Sequence, residues 1–299
     1  FIALLNWFNA GYTALNQFSN AINHYKAALK IEPKNAEVLN NLGLTFKAIG
    51  DFKKANECFE NSISIKPNFA EAFNNMALSL KEERKFEKAI ISLEKAIALK
   101  NNYAEAYYNL GNVYNLLGEL EKSINMFTTA IDIKSDYFDA YNNLGAVYNL
   151  KKDYDKAYQN FQKAISLNPN NADAFNNLGT SALNLNKEDE AIAHYNKAIS
   201  IDPKLIIAYS NLCGLFEKSN NLKKLENILE KTKELKLDQF GEIKFHEAQL
   251  FSRNKDFDRS ILLLKSIDDN EISEKTKMKK YGLLGKDFDK VQNYKEAFK

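Results

Sequence analysis

Cysteine is almost absent from this chain. Cys58 and Cys213 are the only two in 299 residues, and they lie far apart. That excludes a disulfide framework and a cysteine-built metal site, and it points to a reducing compartment, with the cytoplasm as the expected location. Histidine is nearly as scarce. His24, His194 and His246 form no HExxH pair, and each is expected as a surface or groove residue, with no metal and no cofactor. No apolar run approaches the ~20 residues a membrane span needs, and the apolar opening at residues 1–5 lacks a basic flank and a cleavage site. Charge of one sign is not concentrated: 41 Lys+Arg against 39 Asp+Glu leave a net +2. Nucleic acid needs a gathered basic face, so neither it nor a membrane is an expected partner. Gly282-Leu283-Leu284-Gly285-Lys286 lacks the spacer and the following Ser/Thr of a phosphate loop. No catalytic residues are expected.

Proline is rare too, and its placement is informative. The four prolines, Pro33, Pro67, Pro169 and Pro203, fall on one comb with a 34-residue period, and Asn101 and Ser135 fill the two empty slots. Proline ends a helix because it lacks an N–H and clashes with the preceding turn. A fixed period of this length is the mark of stacked helix-turn-helix units. Six units follow: 2–35, 36–69, 70–103, 104–137, 138–171 and 172–205. In 104–137, Tyr107, Leu110, Gly111 and Tyr114 give a first helix its apolar stripe, a break falls at Gly118-Glu119, and Ser123, Phe127, Ala130 and Ile131 mark a second helix.

Small residues recur in register. Gly43, Ala77, Gly111, Gly145 and Gly179 share one position of the first helix, and Ala21, Ala55, Ala89, Ser123, Ala157 and Ala191 share one position of the second. Glycine inside a helix costs about 1 kcal/mol against alanine, so its return predicts a close helix crossing. Leu39, Phe73, Tyr107, Tyr141 and Phe175 are the expected core beside it. At the junctions Asn68, Asn102, Asp136 and Asn170 each stand three residues before Glu71, Glu105, Asp139 and Asp173. That spacing predicts a variant capping box, with the acid also favoured by the helix dipole.

The pattern resembles the tetratricopeptide repeat (TPR) family, through Asn-Asn-Leu-Gly at 142–145 with Tyr148, Tyr154, Ala157, Phe161, Ala164 and Pro169. The resemblance implies an all-α solenoid of antiparallel helix pairs in a right-handed superhelix, first helices lining the concave side. It is strong over the six units of 2–205. Two degenerate units follow over 206–267, with Leu225 where alanine stood and Leu237 in the proline slot. Residues 268–280 are expected as a charged connection. A partial unit over 281–299 recovers the pattern with Tyr281, Leu284, Gly285, Phe288, Tyr294 and Ala297. With no initiator methionine and no capping repeat, the chain is expected to be part of a longer protein with a C-terminal domain in cis.

A column of asparagines, Asn41, Asn75, Asn109, Asn143, Asn177 and Asn211, also keeps the period. Asparagine is a mediocre helix former, and its amide can hold both the C=O and the N–H of an extended peptide. In the TPR pattern this position faces the concave groove, and a similar ladder holds peptides in O-GlcNAc transferases. The same column could instead bond neighbouring repeats. Asn40, Asn74, Asn142 and Asn176 lie adjacent and would widen the polar strip. The family's basic clamp for chaperone C-termini is missing, since Glu37, Glu71, Glu105 and Asn109 occupy that region. The closing segment 281–298 resembles the last repeat before the catalytic domain of bacterial TPR-sulfotransferases. A non-catalytic protein- or peptide-binding module is thus the expected function, with a sulfotransferase or an O-GlcNAc-transferase-like parent as possible contexts. A structural assembly scaffold is the alternative, with Leu222, Leu225 and Leu229 either an exposed seam or packed on the preceding helix.

Overall fold

The structure, a computed structural model, describes residues 17–291. Sixteen α-helices and one 3₁₀ turn make up its regular elements, with no strand among the described residues. The first helix expected in unit 2–35 and the second helix expected after residue 291 lie outside this range. Two compact units divide the chain, 1–152 and 153–299.

In the first unit, α1 (Phe18–Ile31) is a second helix. It is followed by the pairs α2 (Ala36–Ala48) and α3 (Phe52–Ile65), then α4 (Ala70–Glu82) and α5 (Phe86–Leu99), then α6 (Ala104–Leu116) and α7 (Leu120–Ile133), and by α8 (Phe138–Leu150). The even-numbered helices are the first helices of their repeats. Each pair crosses at its small residues. A Cβ on Gly43 would come within 2.7 Å of the Phe59 ring, and one on Gly111 within 2.8 Å of the Phe127 ring. Phe59 and Phe127 are fully buried, each contributing about 2–3 kcal/mol of apolar burial. The glycines therefore exist to admit an aromatic ring.

The turn inside each pair is a Schellman motif. The Asp51 N–H reaches back to the Phe46 carbonyl at 2.9 Å and the Gly50 N–H to Lys47 at 3.0 Å, and Lys85–Leu80 with Arg84–Lys81 repeat the geometry. The motif needs one left-handed residue. Gly50 and Gly118 supply it without strain, at φ +80° and +75°, whereas Arg84 (φ 59°) and Lys152 (φ 62°) supply it against their own preference.

The capping boxes need correction. Phe69, Tyr103 and Tyr137 occupy the N-cap positions, one residue later than Asn68, Asn102 and Asp136, and make no side-chain cap. Their rings lie instead under Lys66, Lys100 and Lys134, at 4.6, 4.6 and 4.8 Å. Where a polar residue does hold that position it caps: Asn35 accepts from the Val38 N–H at 3.0 Å, and Asn171, not Asn170, accepts from Ala174 at 2.8 Å. The acids Glu71, Glu105, Asp139 and Asp173 do lie in the first turn.

The second unit holds α9 (Tyr154–Leu167), α10 (Ala172–Asn184), α11 (Glu188–Ile201), α12 (Ile206–Lys218), α13 (Leu222–Glu234), α14 (Gly241–Arg253), α15 (Phe257–Lys265), a 3₁₀ turn (Asp269–Glu271) and α16 (Glu274–Lys290). The α10/α11 crossing repeats the first unit's, with Gly179 facing the Tyr195 ring at 2.8 Å. At α12/α13 the alanine is Leu225, and fewer residues of the two helices touch, because the larger side chain holds the helices apart. Leu225 and Leu229 are buried and Leu222 packs against the same core, so these leucines form no exposed seam. Nor does a boundary fall at 280/281. Helix α16 runs through it, starting at the Ser273 cap, with Thr276 and Lys280 buried.

Candidate functional site, the asparagine ladder

Asn41, Asn75, Asn109 and Asn143 stand one to a helix on α2, α4, α6 and α8, and Asn177 and Asn211 stand on α10 and α12. All six are half-buried. The ladder reaches backward. Asn75 Nδ2 donates to Asn40 Oδ1 at 3.0 Å, Asn109 to Asn74 at 2.9 Å, and Asn211 to Asn176 at 2.8 Å. Asn143 finds Tyr108 in place of asparagine and donates to its hydroxyl at 3.1 Å and to Asn112 Oδ1 at 2.8 Å. Asn41 accepts from Asn40 at 3.3 Å. The Asn40–Asn41 bond lies within one helix, and the bonds of Asn75, Asn109, Asn143 and Asn211 each tie one repeat to its predecessor.

Three members of the adjacent column therefore do not widen the strip, and the fourth, Asn142, is half-buried. Asn40, Asn74 and Asn176 are only 6, 4 and 6 % exposed, and their oxygens are the acceptors that fix the ladder. A carboxamide has two N–H donors and two lone pairs on its oxygen. At Asn75, Asn109 and Asn211 the brace uses one donor and leaves the rest at the half-exposed edge, whereas Asn143 spends both donors on Tyr108 and Asn112.

His246 is the ladder member the sequence reading missed, and it is not a surface residue. It is buried on α14, with Nε2 2.9 Å from Ser210 Oγ and Nδ1 2.7 Å from Glu217 Oε1. Ser210 precedes Asn211 as Asn74 precedes Asn75, so His246 makes the ladder's contact. The 206–240 repeat has one extra residue, which moves the column off the 34-residue comb. The signal was present: every ladder residue stands two before the small crossing residue, as His246 does before Ala248. The Ser–His–Glu chain has the connectivity of a nucleophilic triad, but Ser210 lies inside α12. Amides there are used by the helix, so they offer no oxyanion pair. Its role is bracing.

Each first helix of the first unit carries further residues on the ladder's face. Residues at i, i+4, i+7 and i+11 share one side of a helix. On α6 these are Glu105, Asn109, Asn112 and Leu116, and on α8 Asp139, Asn143, Ala146 and Leu150. On α2 and α4 they are Glu37, Asn41, Leu44 and Ala48, and Glu71, Asn75, Leu78 and Glu82. Leu116 and Leu150 are 60 and 63 % exposed. Glu37 and Glu71 have Lys66 and Lys100 at 3.6 and 3.4 Å. The acids leave a trace on nearby phenols. Burial first, then Glu105 and Glu71, pushes Tyr103 up to about 12. Tyr137 is raised by burial, then by Tyr108, Glu105 and Asp139. On the opposite side of the ladder, burial and then Lys81 hold Lys47 below the usual lysine range.

No helix among the described residues is long and apolar enough to cross a membrane. In sequence, no curated protein matches the chain. In structure, it is similar to MamA, with 28% identity, a TM-score of 0.51, and coverage of 56% of this chain and 92% of that one. It is also similar to a tetratricopeptide repeat protein from Parabacteroides merdae, at 19% identity and TM-score 0.64, covering 85% and 98%. A third similar structure is YrrB, described as a TPR protein with an unusual peptide-binding site, at 19% identity and TM-score 0.51, covering 62% and 95%. The latter two likenesses concern the fold alone. TPR-repeat models match residues 12–50, 82–118 and 111–152, and tetratricopeptide-repeat models match 36–69, 138–171 and 172–205. Together these spans exceed half of the chain and cover the first helices that carry Asn41, Asn109, Asn143 and Asn177. The chain belongs to the tetratricopeptide repeat family.

Proposed function

We propose that the chain is a non-catalytic recognition module that binds an extended peptide along the face built by its first helices. The observation behind this reading is the brace: Asn75 and Asn109 are each held by the preceding repeat yet keep a donor and an acceptor at the half-exposed edge. Groups already fixed in place lose little freedom when a ligand arrives. The fold carries a peptide site in YrrB, which is an analogy of fold only. Each amide contributes about 1 kcal/mol net to a bound peptide, so single substitutions have small effects.

A peptide-library pulldown tests this with Asn75, Asn109 and Asn143 changed together to alanine. The Asn74→Ala variant serves as control, because it breaks a brace and keeps the ladder. Binding lost in the triple variant and kept in Asn74→Ala, both folded by circular dichroism, supports the clamp. Equal binding by all three proteins returns the ladder to structural duty alone. We also propose that the module recruits substrates or partners for a larger cytoplasmic protein, on the resemblance of residues 281–298 to the repeat that precedes a sulfotransferase domain. An O-GlcNAc-transferase-like parent is the alternative. Reading the downstream frame decides: a phosphate-binding loop supports the first, a glycosyltransferase domain the second, and a stop codon neither.

A further inference from the structure

The first-helix face of the first unit exposes two large apolar side chains, Leu116 and Leu150, on successive first helices. Leu44 and Leu78 stand one turn nearer the ladder on the two preceding first helices. Across the ladder from these leucines runs the row Glu37, Glu71, Glu105 and Asp139, all exposed. The face thus carries an acid lane and an amide lane, with leucines on the far side interrupted by Glu82 and Asn112. Glu37 and Glu71 meet Lys66 and Lys100 only through solvent-exposed pairs, which exchange readily for a ligand's cation. No described residue forms an ion pair with Glu105 or Asp139.

Resting on the peptide-clamp reading, we propose that the occupant is a polyproline-II-like peptide with a basic residue at every third position and apolar residues on an adjoining face of its helix. Charge complementarity selects the basic side chains and the exposed leucines select the apolar ones. Spacing selects the conformation. Consecutive first helices touch, and touching helices have axes about 8–10 Å apart. A polyproline-II chain returns to the same face every three residues, about 9 Å along its axis. A β-strand returns every two, about 6.7 Å, and falls out of step with the acids before the fourth helix.

The test uses three synthetic peptides titrated by fluorescence anisotropy. One repeats Lys-Pro-Leu, one has the same composition with lysines at alternate positions, and one repeats Gln-Pro-Leu. The protein variant combines Glu37→Gln, Glu71→Gln, Glu105→Gln and Asp139→Asn. The wild type is expected to prefer Lys-Pro-Leu over both other peptides by roughly tenfold, the factor four screened ion pairs supply together. The preference should shrink with added salt and vanish in the variant, which keeps wild-type affinity for Gln-Pro-Leu. Equal affinity of the wild type for all three peptides would overturn the inference and leave the clamp standing. A preference unmoved by both salt and the four substitutions overturns it as well. Binding of no peptide by either protein removes the clamp and this inference together.

Discussion

At the scale of single residues, glycine and its neighbours set the tolerances. Gly111→Ala gains about 1 kcal/mol of helix propensity but forces a Cβ to 2.8 Å from a fully buried ring. Overpacking of that kind costs about 1–3 kcal/mol, so a net loss near 1 kcal/mol is expected in urea melts. Arg84→Gly should move the other way. Arg84 sits at φ 59°, and relieving a left-handed residue is worth about 1 kcal/mol, read as a higher melting midpoint. The thiols make a third case. Burial, and then Glu217, raises Cys213 well above the usual thiol range, and burial first pushes Cys58 up to about 11. Thiolate is the reactive form, so Cys213 should resist iodoacetamide at mildly alkaline pH until urea is added. The glycine positions were legible because their spacing encodes the crossing directly. The left-handed arginine and lysine were not, since nothing in the type of these residues announces that backbone.

Between elements, the brace is the unit of cooperation. Asn109→Ala strands Asn74 Oδ1 in a site only 4 % exposed, and an unmade bond at a buried acceptor costs about 1–3 kcal/mol. Asn74→Ala loses the same bond from the other side. The double variant should cost less than the two singles summed, with a coupling of about 1 kcal/mol in a double-mutant cycle. Additive losses would show the two amides to be independent. Helix identity and pairing were readable from apolar period and small residues. The brace was readable only as one of two possibilities, because periodicity reveals that a column exists and not which atoms its members face. The caps were misplaced by one residue for a related reason: Phe69, Tyr103 and Tyr137 claim the cap position through their lysine contacts, and no polar-residue rule anticipates an aromatic there.

At the scale of the whole chain, regularity decays from the 206 repeat onward, and charge takes over part of what packing does earlier. Buried Lys280 donates to Asp269 at 2.7 Å and to the Ile267 carbonyl at 2.8 Å. The Lys280 hydrogen bond, then that of Tyr281, holds the Asp269 carboxyl below its usual range. Its folded pKa is therefore lower than its unfolded one. The stability it confers is full above the ordinary carboxylate range and is lost as pH falls through the depressed folded value. Asp269→Asn should lower the melting temperature at neutral pH and flatten the acid limb of the stability profile, with hydrogen exchange rising first around α16. Sequence placed a charged connection over 268–280 because Asp, Glu and Lys crowd there. It could not show that one of those lysines is interior, since burial of an ion depends on a partner that folding alone brings near.

Because Asn75, Asn109, Asn143 and Asn211 each donate to the residue before the previous ladder amide, these repeats share one connector. Excising residues 70–103 would bring Asn109 against Asn40, a donor against the acceptor it already uses in Asn74. The array can therefore lose a whole repeat without orphaning a polar group at the new junction, whereas a deletion that is not a whole number of repeats breaks both the apolar register and the connector. Length in this architecture is quantised, and a shortened chain would keep the chemistry of its groove while changing only its reach.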